Sequence, residues 1–88
     1  MTAITIHLLG VLQQWVKAPT ISLNATLPSQ PSVLKQLLAE KFKGEGVEAD
    51  KLTLLAHCVF ADDQHIFSED EVIVGVQQLA ILPPFSGG

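Results

Sequence analysis

The sequence predicts an α+β domain, a mixed β-sheet carrying one main helix on one face. Two stretches near the N-terminus alternate apolar and polar residues with the period of a strand. A central stretch changes to helical spacing, and β-prone runs resume towards the C-terminus. The chain has 88 residues, enough for a single core, and 48% of them are hydrophobic, which excludes a disordered segment.

The first run, ITIHLLGVL from Ile4, places Ile4, Ile6 and Leu8 on one face, and Gly10 marks a bulge, a bend or the approach of another backbone. After a break around Lys17, Ala18 and Pro19, the run TISLNATLP alternates Ile21, Leu23, Ala25 and Leu27 with Ser22, Asn24 and Thr26. Together they predict an N-terminal β-hairpin. Val33, Leu34, Leu37, Leu38 and Phe42 then fall at helical spacing, with Ser32 as the expected N-cap and Gly44 just past the end. KLTLLAHCVF is apolar on both alternating sets and reads as a central strand covered on both faces. A turn at Asp62 and Asp63 follows, with short strands expected around residues 64–67 and 72–74, and a last strand from Leu79 to Leu82. Pro83 and Pro84 end it because neither can donate to a ladder. This order places the first and last strands side by side in parallel, as in a β-grasp, or ubiquitin-like, roll. The expected organisation is a β-grasp domain over residues 1–82 and an extended tail over residues 83–88.

Charge and composition narrow the function. Nine carboxylates face five lysines, and arginine is absent, so nucleic acid is a poor partner. No stretch resembles a signal peptide or a membrane span, and the single cysteine forms no internal disulfide, so a cytoplasmic protein without membrane association is expected. Asp62, Asp63, Glu69, Asp70 and Glu71 crowd the later half, as solvated loops or as an acidic patch facing a basic partner. On a strand, Cys58 and His57 point to opposite faces, which opposes a thiol–imidazole pair and favours Cys58 as a small buried hydrophobe. His7, His57, His65 and Cys58 lack the short spacing of a structural zinc site. The acidic stretches lack the pattern of a calcium loop, and no phosphate-cradling loop or serine-nucleophile motif is present. The body of the domain therefore has no evident active site, and no cofactor or metal site is expected on this chain.

The ending, LPPFSGG, is different. Pro83 and Pro84 restrict φ and project the following residues as a rod, which over the six residues from Pro83 reaches roughly 20 Å. Gly87 and Gly88 have no side chains, so a narrow channel can close around the backbone. Ordering each tail residue costs about 1–2 kcal/mol, which a partner must offset through the prolines and Phe85. A carboxylate is a poor electrophile until it is adenylated, and a slim tail suits that reaction.

The whole ending, a hydrophobic strand followed by Pro83, Pro84, Phe85, Ser86, Gly87 and Gly88, resembles the small, sulfur-carrier subunit of molybdopterin synthase. That resemblance implies a ubiquitin-like fold and a non-catalytic, sulfur-donating subunit. An ATP-dependent activating enzyme would adenylate the Gly88 carboxylate, and a sulfur donor protein would convert it to a thiocarboxylate. The large catalytic subunit, in a heterotetramer, would pass the sulfur to cyclic pyranopterin monophosphate during molybdenum cofactor biosynthesis. ATP is then used by the activating enzyme and not held by this chain. Gly87 and Ser86 would thread the partner's channel, and Pro83, Pro84, Phe85, Leu82 and Val59 or Phe60 would meet the large subunit.

Some residues depart from the family pattern. Arginine is absent after the first strand, and Gln77 and Gln78 stand where acids are expected before the last strand. Two alternatives stay open: a ubiquitin-like sulfur carrier for thiamin, cysteine or transfer-RNA thiolation, and a protein modifier or plain interaction module. Thiamin carriers usually lack Pro-Pro before the diglycine.

Overall fold

A computed structural model describes residues 2–84, and it has the β-grasp, ubiquitin-like architecture. Four strands, β1 (Thr2–Leu8), β2 (Thr20–Ala25), β3 (Val59–Ala61) and β4 (Gln78–Leu82), form one mixed sheet in the order β2-β1-β4-β3. β1 pairs antiparallel with β2 and parallel with β4, and β3 closes the other side antiparallel to β4. The first and last strands thus lie together at the centre, as the sequence predicts. The main helix, α2 (Pro31–Gly44), packs against the sheet.

Alternation in the strands produces the core. Ile4, Ile6 and Leu8 of β1, Ile21, Leu23 and Ala25 of β2, and Leu79 and Ile81 of β4 are buried and meet Leu34, Leu38 and Phe42 of α2. The predicted helical face is mostly correct, although Val33 remains 43% exposed. Its boundaries shift: Gln30 is the N-cap, with Pro31 in the first turn where its missing N–H costs nothing. Ser32 makes no cap. At the other end the helix runs through Gly44 to a cap at Glu45, and the glycine with positive φ is Gly46, at 91°.

The stretch read as a central strand is the main correction. Residues Ala49–Leu52 form α3, Thr53–His57 form a 3₁₀ segment, and only Val59–Ala61 are strand. Leu52, Leu55 and Cys58 are buried at a spacing of three, which is the 3₁₀ repeat, whereas Thr53, Ala56 and His57 are exposed. A continuous apolar run fits a buried strand and a short helix equally by composition, and here helical packing beneath α2 wins. The opposite-faces argument for His57 and Cys58 falls with that strand. Burial keeps them apart instead.

A further helix, α1 (Val11–Val16), stands where the sequence suggested strand and break. Gly10 turns the chain out of β1 at φ 59° and ψ −135°, and Leu12 anchors the helix in the core. The short strands expected at 64–67 and 72–74 shrink to single bridges, Ala61 with Ile66 and Ser29 with Ile73.

Several of the later acids have internal tasks. The Lys35 ammonium, nearly buried in α2, donates to the Glu69 carboxylate at 2.6 Å and to the Ala56 carbonyl at 3.3 Å, tying the long loop before β4 to the helix. His65 Nε2 lies 2.7 Å from the Glu71 carboxylate. Asp62 accepts the backbone N–H groups of Gln64 and His65, both at 2.8 Å, so it shapes the turn expected there. Those two bonds hold its carboxyl below the usual range, Gln64 contributing most. The acidic run is therefore largely a braced loop.

Candidate functional site

β4 is a central strand, so the C-terminal tail starts from one of the best-supported positions in the sheet. Its last ladder partners are Leu8 opposite Ile81 and Val59 opposite Leu82. Beyond Leu82, Pro83 leaves the ladder and lies against Gly10. A Cβ built on Gly10 would come within 3.2 Å of the Pro83 ring. Gly10 is needed twice: its φ of 59° with ψ of −135° belongs to glycine, and the missing side chain seats the proline. The sequence flagged Gly10 for a close backbone approach, and the group that approaches is the Pro83 ring. Gly10→Ala should destabilise the domain by about 1–3 kcal/mol, measured by urea unfolding, because it strains the backbone and presses on Pro83.

The expected partner-contacting residues separate cleanly. Leu82, Pro83, Pro84 and Val59 are each partly exposed, and Leu82 and Val59 face each other across the β4–β3 pair. Phe60 is a correction: it pairs with Ile81 on the helix side of the sheet and is fully buried in the core, so its ring offers no surface to a partner. Phe85, Ser86, Gly87 and Gly88 lie outside the described residues.

The sheet face away from α2 extends this surface with residues the sequence did not single out. Ladder partners share a face, which places Ile66, Ala61, Ala80 and His7 in one row across the sheet, beside Val59 and Leu82. Ile66 is 54% exposed, far more than a core isoleucine. His7 donates or accepts a 2.8 Å hydrogen bond with the Gln78 side chain and closes the apolar stripe with a polar edge. A shallow groove of about 500 Å³ runs along this edge, lined by His7, Ala61, Asp62, Asp63, Gln78 and Ala80. The signal in the sequence was a weak one: small and apolar residues at alternate positions of a short last strand.

Among the described residues Cys58 is the one thiol, and it is shielded from solvent. Among the described residues no group of three His, Cys, Asp or Glu side chains is placed to hold a metal ion. Cys58 is fully buried, with its Sγ 3.4 Å from the Leu54 carbonyl, and burial pushes its thiol up despite the opposing charge of Lys35. It should resist Ellman's reagent in the folded protein and react fully once denatured, because the reactive thiolate is disfavoured and shielded. Reaction at the same rate in both states would contradict the buried position. Among the described residues no helix is long and apolar enough to cross a membrane.

No family model and no curated protein matches the chain. Among solved structures it is similar to SAMP1 from Haloferax volcanii, with a TM-score of 0.64 and 18% identity over 98% of this chain and 99% of that one. Near-complete coverage of both chains means that the likeness in fold extends over the whole domain and is not confined to one part of it.

Proposed function

We propose that this chain is a ubiquitin-like sulfur carrier and, in particular, the small subunit of molybdopterin synthase. The observation that carries this reading is the continuity of a central, parallel-paired β4 into Pro83, seated on Gly10, at the head of the sequence Pro-Pro-Phe-Ser-Gly-Gly. A rigid base followed by a slim end suits a chain whose own chemistry is confined to its terminal carboxylate.

The steps follow from that carboxylate. A Gly88 oxygen attacks the α-phosphorus of ATP and displaces pyrophosphate, which gives an acyl-adenylate on the activating enzyme. A persulfide on the donor protein then displaces AMP to give an acyl disulfide, and a thiol reduces its S–S bond, leaving a thiocarboxylate whose nucleophilic atom is sulfur. Inside the large subunit that sulfur passes to cyclic pyranopterin monophosphate, and two charged copies build one dithiolene. Val59, Leu82, Pro83, Pro84 and Phe85 supply the apolar contact that holds the carrier while the tail reacts, and Gly87 and Ser86 fit the channel. Positioning the terminal atom is this chain's contribution to rate, and the remaining catalytic groups belong to the partner.

Intact-mass analysis after incubation with ATP, the activating enzyme and a sulfur source tests the reading. Exchange of one oxygen for sulfur, located at Gly88, is expected, followed by conversion of the pterin when the large subunit is added. Isopeptide conjugates to lysines would indicate a modifier instead. A thiocarboxylate that fails to convert the pterin would assign the carrier to another thiolation pathway.

A further inference from the structure

The two edges of the sheet are finished differently. Beyond β3 the chain folds back on its own strand: the Phe67 N–H donates to the Phe60 carbonyl at 2.8 Å, the Asp62 N–H donates to the His65 carbonyl at 3.0 Å, and Ala61 bridges Ile66. Beyond β2, among the described residues, no segment is paired. The register with β1 determines which groups that leaves. The Leu8 N–H donates to the Pro19 carbonyl, so the hydrogen bonds to β1 fall at every second residue from there, at Ile21, Leu23 and Ala25. Thr20, Ser22 and Asn24 therefore turn their backbone N–H and C=O groups outward, and their side chains are exposed as well.

β2 carries none of the devices that natural proteins use to keep an open edge from pairing. It is six residues long, its register with β1 runs unbroken from Ala25 to Thr20, and it holds no proline, no lysine and no acid. Charge does not guard it either. The chain is net −4, yet its first carboxylate side chain in sequence is Glu40, and Lys17 is the one Lys, Arg, Asp or Glu before Lys35.

We propose that this edge binds a second copy of the chain, β2 against β2 antiparallel about a two-fold axis, so that two four-stranded sheets become one. The strand is its own complement. With Ser22 opposite the second copy's Ser22, Thr20 falls opposite Asn24 and Asn24 opposite Thr20, and each of these residues exchanges both backbone hydrogen bonds with the one it faces. A slip of two residues in either direction leaves Thr20 or Asn24 without a strand residue to face, so this register engages the whole edge. Hydroxyl and amide side chains then meet on the open face of the sheet, where such cross-strand pairs are favourable. Lys17 precedes the strand in both copies, and antiparallel pairing sends the two ammonium groups to opposite ends. Edge pairing covers less surface than a standard stable interface, so the dimer is weak and depends on concentration. β1 stands between this edge and β4, which leaves Leu82 and Pro83 free for another partner.

The test uses the full-length chain alone, without ATP or an activating enzyme, so its outcome is separate from that of the sulfur-carrier reading, which the mass of Gly88 decides. Sedimentation equilibrium should give a mass that rises from one copy towards two between about 10 µM and 1 mM. Ser22→Lys places like charges directly opposite each other and, on an exposed position, spares the fold; it should remain a single copy throughout. Ser22→Cys should cross-link to its copy under glutathione disulfide, because Cα atoms of such a pair lie about 5.5 Å apart, within disulfide reach. Asn24→Cys should cross-link at least about tenfold more slowly, since the two Asn24 positions are separated by roughly 13 Å along the paired strands. Cys58 is buried and takes no part in either variant. A single-copy mass for the native chain at every concentration, a dimer that persists in Ser22→Lys, or equal cross-linking of the two cysteine variants would each overturn the proposal.

Discussion

Deleting Gly88 should abolish sulfur transfer and leave the unfolding temperature unchanged. The two halves of that result come from different parts of the molecule. Among the described residues every core residue lies at or before Ile81, and the ladder ends at Leu82, so deleting Gly88 touches neither the described core nor the described strand pairing. The proposed chemistry, by contrast, depends on a single carbonyl carbon five residues along the chain from Pro83. One residue fewer withdraws the carboxylate by about 3.3 Å from the position the partner's groups are built around. Since a misplacement of 1 Å already costs about 10²-fold, the remaining Gly87 carboxylate should be a far poorer substrate for adenylation and for sulfur delivery. Adding an alanine after Gly88 should have the same consequence from the opposite direction. Sulfur transfer at the native rate by the shortened chain, in an assay where the full chain works, would reject the carrier mechanism.

Phe60→Ala should be the most destabilising single change near the tail, by about 3–5 kcal/mol in urea or thermal unfolding. Its ring is fully buried on the face of the sheet that it shares with Ile81 of β4, and truncation leaves a cavity in a core that has no spare layer. For a domain of this size the whole stability is about 5–15 kcal/mol, so the variant should populate unfolded chains at physiological temperature. Its neighbour is the informative contrast. Val59→Asp places a charge on the open face opposite Leu82, where water solvates it in the free protein, so stability should change little. Affinity for a partner on the apolar stripe should fall sharply, because the same charge would then be desolvated without a counter-ion. If Phe60→Ala proved mild and Val59→Asp severe for folding, the facing assigned to β3 would be wrong.

The strands and the main helix were legible because each has a strong period with a single buried side. Ile4, Ile6 and Leu8 can be inside together only on an extended chain, and Leu34, Leu38 and Phe42 only on a helix. KLTLLAHCVF failed for the reason those succeeded: when both alternating sets are apolar, the period of two carries no information, and the buried triplet Leu52, Leu55 and Cys58 is equally regular at three. α1 was hidden for another reason. It is short, holds one buried residue, and has neither a capping side chain nor a first-turn acid, so the turn forced at Gly10 and the packing of Trp15 on Phe42 create it. At the site, Leu82, Pro83 and Pro84 could be read from sequence because prolines must end a ladder. The Gly10 seat and the row from Ile66 to His7 could not, since both depend on which strand lies beside which. Phe60 was misplaced for the same reason, as neighbours on a strand differ in face and the sequence showed only that both were apolar.

The parallel pairing of β1 and β4 also determines how the domain bears load. An enzyme that grips the tail and draws it into a channel pulls β4 along its own axis. β4 is flanked on one side by β1 and on the other by β3, so the pull sets both ladders in shear, with their hydrogen bonds strained together and not peeled one at a time. Force enters at the proline seat and spreads at once through the central strands. A pull applied at Pro83 is therefore carried by the whole sheet before any one strand can come away.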